Sequence, residues 1–282
     1  MKRKPNSISC LVCLGILLSL VIFSCHKKDN VPDDPGDQSN AIALTAASTI
    51  LENLYDDVFN QINIEAVNSN IAGRLNTTTG IQGCAVVTLS PADLTTFPKT
   101  MTLDFGSGCS LEPVTRKGKL IVTLSGRLKN PGTTVSVAFE NYFVNDYKLE
   151  GAFNLINNTT NNVLSFTTQT SNGKLIYPGG LIYYTHSGTH TYTQIGGSNT
   201  PSYFDDSWSV TGTGNTTSSA NESMTWNITT PLIKNIACGS IVSGIEEFQY
   251  NNNTSGNLNF GDGTCDRLAT VTIGSYNAVI TF

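Results

Sequence analysis

Val135-Ser136-Val137-Ala138-Phe139-Glu140-Asn141-Tyr142-Phe143 is the stretch on which the fold turns. Read with a period of two, Val135, Val137, Phe139, Asn141 and Phe143 fall on one face and Ser136, Ala138, Glu140 and Tyr142 on the other, as in a half-buried antiparallel strand. Runs of the same kind, rich in Val, Ile, Thr, Tyr and Phe and bounded by Gly, Asn, Ser and Pro, recur from Cys84 onward. They cover Tyr147 to Asn157, Val163 to Thr170, Lys174 to Thr185, Thr189 to Ile195, Asp206 to Thr213, Glu222 to Thr229 and Ile241 to Tyr250. This spacing predicts a mainly β domain over 71–282, an antiparallel β-sandwich of about 12 strands. A β-barrel is the alternative, since the chain stops on Phe282 at the end of a strand as outer-membrane barrels often do; charges spread over the strands argue against it.

Upstream the period changes. From about Asn40 to Val67, Leu44, Ala47, Leu51, Leu54, Val58 and Ile62 recur at three- and four-residue steps, with Glu52, Asp56 and Asp57 on other faces. The pattern predicts one amphipathic helix over 41–70, capped by Ser39 or Asn40 and packed on the sheet.

A repeat organises the cysteines. Cys84 is followed at a distance by Leu103-Asp104-Phe105-Gly106-Ser107-Gly108-Cys109, and Cys238 by Leu258-Asn259-Phe260-Gly261-Asp262-Gly263-Thr264-Cys265. A strand follows each second cysteine, Lys119 to Leu124 in one copy and Asn277 to Phe282 in the other. If each copy is one unit, Cys84 bridges Cys109 and Cys238 bridges Cys265; four free thiols are the alternative. The C-x2-C spacing of structural zinc sites is absent. Within the repeat the phenylalanine anchors a strand end in the core, and the glycines supply the positive φ of a tight turn. Phe260-Gly261-Asp262-Gly263-Thr264 also resembles the short signature of the immunoglobulin-like PKD module of extracellular proteins, which implies a β-sandwich and attaches no function.

The N-terminus reads as an address. Lys2, Arg3 and Lys4 precede an apolar run from Ile8 to Phe23, and Ile22-Phe23-Ser24-Cys25 follows. A basic start, an apolar stretch and a small residue before the cut describe a signal peptide over 1–24. Cys25 is then the lipid attachment site, carrying palmitate-type acyl chains. The run is shorter than the roughly 20 apolar residues of a membrane-spanning helix. His26-Lys27-Lys28-Asp29, with Asp33, Asp34 and Asp37 among Pro32, Pro35 and Gly36, predicts a disordered charged tether over 25–40. Basic residues followed by acidic ones directly after the cysteine resemble the sorting stretch of surface lipoproteins of Bacteroidetes-type bacteria. That resemblance implies the outer membrane, at the cell surface or on its periplasmic face.

Loss of the signal removes three basic residues, leaving 13 Lys and Arg against 21 Asp and Glu. A nucleic-acid partner is excluded, because neutralising phosphates needs a basic face. Catalytic signatures are scarce. There is no G-x-S-x-G, G-x-x-x-x-G-K-[ST], G-x-G-x-x-G or H-E-x-x-H. His186 and His190 read as exposed loop histidines; shared metal ligation would need a turn at Ser187 to Thr189 and a third ligand such as Asp205 or Asp206. Glu140, Glu150, Glu246 and Glu247 read as solvated surface rather than a glycosidase pair. Tyr183, Tyr184, Trp208 and Trp226 are the candidate ligand-binding residues, because exposed rings among amides and hydroxyls stack on sugars; in a sandwich such rings also fill cores. The sequence as a whole predicts a non-catalytic binding or scaffolding (adhesion-type) lipoprotein without cofactor or metal. Its partners are the membrane, through the lipid, and a glycan or protein. A carbohydrate-binding module or secreted glycan-active hydrolase is the alternative.

Overall fold

The computed structural model describes residues 35–72, 84–111, 114–200 and 202–282; Cys25 and the signal lie outside them. Helix α1 spans Pro35–Asn68, so it begins inside the stretch expected to be tether. Proline suits a first helical turn, where its missing N–H costs nothing. The strands are β1 (Val86–Ser90), β2 (Lys99–Asp104), β3 (Cys109–Leu111), β4 (Val114–Leu124), β5 (Thr134–Val144), β6 (Tyr147–Asn157) and β7 (Ser165–Ile176). They continue as β8 (Tyr183–Gly196), β9 (Ser207–Ser218), β10 (Ser223–Asn235), β11 (Ser240–Tyr250), β12 (Thr254–Asp262), β13 (Leu268–Ile273) and β14 (Tyr276–Thr281).

Over the described residues the fold is thus mainly β and antiparallel, with one helix ahead of the strands. The 14 described strands belong to one sheet in nearly sequential order, β3 pairing only with β4. β1 and β14 are its edges, so the sheet is open rather than closed into a barrel. Several strands are longer than the sequence runs suggested. The run from Lys174 to Thr185 is divided by a turn at Gly179 and Gly180, both at positive φ.

The sheet curls around the helix. α1 meets β4 through Asp57 and Arg116, β6 through Tyr55 and the Glu150 carbonyl, β8 through Asp56 and Tyr192, β9 through Ser48 and Thr216, and β10 through Asp56 and Lys234. Burial therefore goes beyond the apolar stripe of Leu44, Leu51, Val58 and Ile62 to include Thr45, Ser48, Asn63 and Glu65. A polar residue on a helix wrapped this way must find partners inside. Thr45 and Thr49 donate to carbonyls one turn back, and Ser48 bonds Thr216.

Bulges bend the strands. At the β4–β5 pairing Gly118 (φ +79) faces Asn141 (φ 46) across a register shift. A Cβ at Gly118 would lie 1.9 Å from the Asn141 carbonyl oxygen. Gly151 against Asn172 on β6–β7 and Gly244 against Pro231 on β10–β11 repeat the arrangement. Each extra residue kinks its strand and increases the twist. The Asn141 bulge also corrects the opening reading: the alternation reverses there, so Asn141 is exposed while Tyr142 and Val144 turn inward.

Both disulfides, Cys84–Cys109 and Cys238–Cys265, are formed. Phe105 and Phe260 are buried, and Gly106 and Gly261 have positive φ, as the repeat required. Such bridges belong to chains that fold in an oxidising, extracytoplasmic compartment. Replacing Cys238 and Cys265 together by serine is expected to cost about 3 to 4 kcal/mol by the loop-entropy argument. Urea denaturation should show the midpoint falling; an unchanged midpoint would mean that the bridge constrains nothing.

Candidate functional site

The groups best equipped for chemistry lie inside. His186 and His190 are not in a loop: both stand on β8 and face the helix, His186 only 3% exposed. Four residues of extended strand hold their side chains about 13 Å apart. The indole of Trp226 fills the interval. Phe153, Tyr55, His186, Trp226 and His190 stack in one column, with successive centroids 6.0, 6.0, 5.9 and 5.0 Å apart and planes within 24°. The indole fits because β8 and β9 offer glycine beneath it. A Cβ at Gly214 would sit 2.4 Å from the ring, and one at Gly188 3.0 Å. The Tyr55 hydroxyl donates to the Glu150 carbonyl at 2.6 Å and accepts from the Lys174 amide at 3.1 Å, which ties the helix to the β6–β7 bulge.

Below the column runs a network of ions. Lys234, 2% exposed, donates to Asp56 at 2.6 Å and to Asn60 at 2.7 Å. Tyr192 donates to the same Asp56 and Tyr203 to the same Asn60. Burial pushes the Lys234 ammonium below its usual range, and Asp56 opposes the shift. Arg116 clasps Asp57 with two nitrogens. Glu52 lies 3.7 Å from the His190 Nε2. Glu246, expected on the surface, points inward and is 2% exposed; burial, reinforced by Glu52, raises its carboxyl well above the usual range. Its neighbour Glu247 points outward, as strand alternation requires.

Burial lowers the His186 imidazole from 6.5 to about 4, the carboxylate of Glu52 opposing the shift. Between those values the unfolded chain binds a proton that the folded chain refuses. Stability therefore rises with pH across that window, is complete above it and is lost as pH falls toward 4, by roughly 3 kcal/mol in all. Glu246 acts in the opposite sense, since its folded state keeps a proton. The comparison of wild type with His186→Phe, which keeps a ring in the column, isolates the histidine. Wild type should lose more stability between pH 7 and 4.5, and equal losses would discard the assignment.

The four residues singled out for ligand binding do not form one surface. Trp208 and Trp226 are 0% and 2% exposed and belong to the core, Trp208 packing edge-on against Phe59 at 6.0 Å. Tyr183 lies under the Lys174 ammonium at 4.1 Å, and Tyr184 packs on Tyr177 at 5.8 Å. Among the described residues no three His, Cys, Asp or Glu side chains gather as a metal centre requires. No described helix is long and apolar enough to cross a membrane.

A concavity of about 210 Å³ opens beside α1 and is lined by Asp56, Asp57, Asn60, Tyr147 and Arg267; the two larger ones lie on the outer face. One trough of about 590 Å³ is lined by Thr123, Ser136, Asn154, Gln169 and Thr189, with Val135, Leu155 and Ile156 among its apolar contacts. A second of about 630 Å³ is lined by Thr213, Asn227, Glu247, Asn257 and Thr272, with the buried Trp226 and Phe248 behind them. Each group of five consists of successive register partners on β4 to β8 and on β9 to β13. Thr189 in turn pairs with Thr213, so the two groups are one row. Ser90 and Thr100 extend it at one end and Asn277 at the other.

No family model, no curated protein and no solved structure matches this chain. The surface row was invisible in the sequence because every member looks like an ordinary outward residue of its own strand; only the register lines them up.

Proposed function

We propose that this chain is an exported lipoprotein, acylated at Cys25 and tethered to the outer membrane, whose β domain binds a partner without catalysis. One observation carries the reading. The histidines, Lys234 and Glu246 are held within the core or against the helix, whereas the accessible troughs carry hydroxyl and amide groups with Glu247 as the single carboxylate. A glycosidase needs two facing carboxylates; neither outer trough has a second, and Asp56 and Asp57, which line the concavity beside the helix, are adjacent in sequence and engaged by Lys234 and Arg116. The two disulfides favour an extracytoplasmic setting, and the basic-apolar-cysteine order of the N-terminus supplies the anchor.

The test is metabolic labelling with an alkyne palmitate analogue in a bacterial host that processes lipoproteins. Label is expected on wild type and absent from Cys25→Ala, which should also leave the membrane fraction. Protease added to intact cells then separates surface from periplasmic display. Equal labelling of the two proteins would remove the anchor.

A further inference from the structure

We infer that the two outer troughs are one groove that binds a linear, uncharged polysaccharide laid across the strands. The inference rests on the tethered-binding reading above and names its ligand. The row runs from β1 to β14 by unbroken register, and not one of its members is buried. It contains hydroxyls and carboxamides, one carboxylate and no cation. A lipid headgroup, a phosphate or an acidic peptide would meet no positive charge there. An extended peptide recognises a sheet by its edge backbone rather than across its face.

Neutral donors and acceptors that recur at the strand spacing of about 4.8 Å suit a polymer whose units each present hydroxyls. The apolar side chain of Ile156 in one trough, 40% exposed, suits the C–H face of a sugar ring. The concavity has a geometric cause. A twisted sheet curled about an axis is waisted like a hyperboloid, so its outer face hollows along a line that crosses the strands. The row follows the troughs, and the troughs adjoin where Thr189 pairs with Thr213.

The test uses the full-length lipidated protein in liposomes and a panel of linear neutral glycans, a β-glucan, an α-glucan, a mannan and a xylan, with polygalacturonate as the charged control. Retention on at least one neutral glycan is expected. An oligosaccharide long enough to occupy both troughs should bind about tenfold tighter than one of half its length, because the second trough is then engaged intramolecularly. Asn154→Ala with Gln169→Ala, and separately Asn227→Ala with Asn257→Ala, should each abolish that length advantage. These side chains are surface-placed, so an unchanged melting temperature certifies the fold. Absence of retention by every neutral glycan, or retention that ignores both chain length and the paired variants, overturns the inference. Retention of polygalacturonate alone, if the variants remove it, overturns the neutral ligand while leaving a binding groove. Failure of the tethered reading shows elsewhere, as a Cys25 that takes no label.

Discussion

Trp226→Ala is expected to destabilise the protein by about 4 kcal/mol. The indole is enclosed by His186 at 5.9 Å and His190 at 5.0 Å and lies against Gly188 and Gly214. Those glycines have no side chains to relax into the vacated space, so the cavity persists. For a domain whose whole stability is on the order of 5–15 kcal/mol, such a loss is large. Trp226→Phe keeps a ring in the column and should cost about half as much or less. Urea titration of the three proteins checks the order, and an alanine variant within 1 kcal/mol of wild type would be incompatible with a core role. Because this variant acts through the fold, it makes a poor probe of ligand binding even though exposed tryptophans often serve that purpose.

Lys234→Met should be comparable, at about 3–5 kcal/mol. The thioether fills the space, but Asp56 loses the ammonium 2.6 Å away and keeps only neutral donors such as Tyr192 at 3.0 Å. The cost is that of a part-buried carboxylate left without its cation, not of a missing contact. A second change, Asp56→Asn, removes that charge. The double variant should therefore recover much of the loss, and the coupling measured in the cycle should exceed 1 kcal/mol. Strictly additive losses would mean that the pair is not coupled. Arg116 and Asp57 form a second such clasp on the same helix, so helix and sheet are joined by ions on two sides as well as by the aromatic column.

The cysteine repeat was legible because it is local: a buried phenylalanine, a turn glycine and a cysteine lie within five residues in one copy and six in the other, and the repetition indicates which sulfurs meet. The helix was legible from its stripe at Leu44, Leu51, Val58 and Ile62. Its full burial was not, because the sequence does not show that the sheet returns on every side. His186, His190 and Glu246 were misplaced for the same reason. A polar residue in a strand reads as solvent-facing until the opposite layer is known, and here that layer is a helix carrying Tyr55, Glu52 and Asp56.

The sequence by itself determined the β class, the helix, the paired cysteines and the inward or outward sense of most strand residues, since these follow from period and short spacing. Asn141 marks where that reasoning stops. One bulged residue reverses the faces of the strand beyond it, and only pairing with Gly118 fixes its position. Tertiary structure decided the rest: the curl of the sheet about the helix, the ions sealed between them, and the register that sets Gln169 beside Thr189 and Asn227 beside Glu247. Register is a relation between strands distant in the chain, set by bulges and packing together, and no single strand's residues encode it.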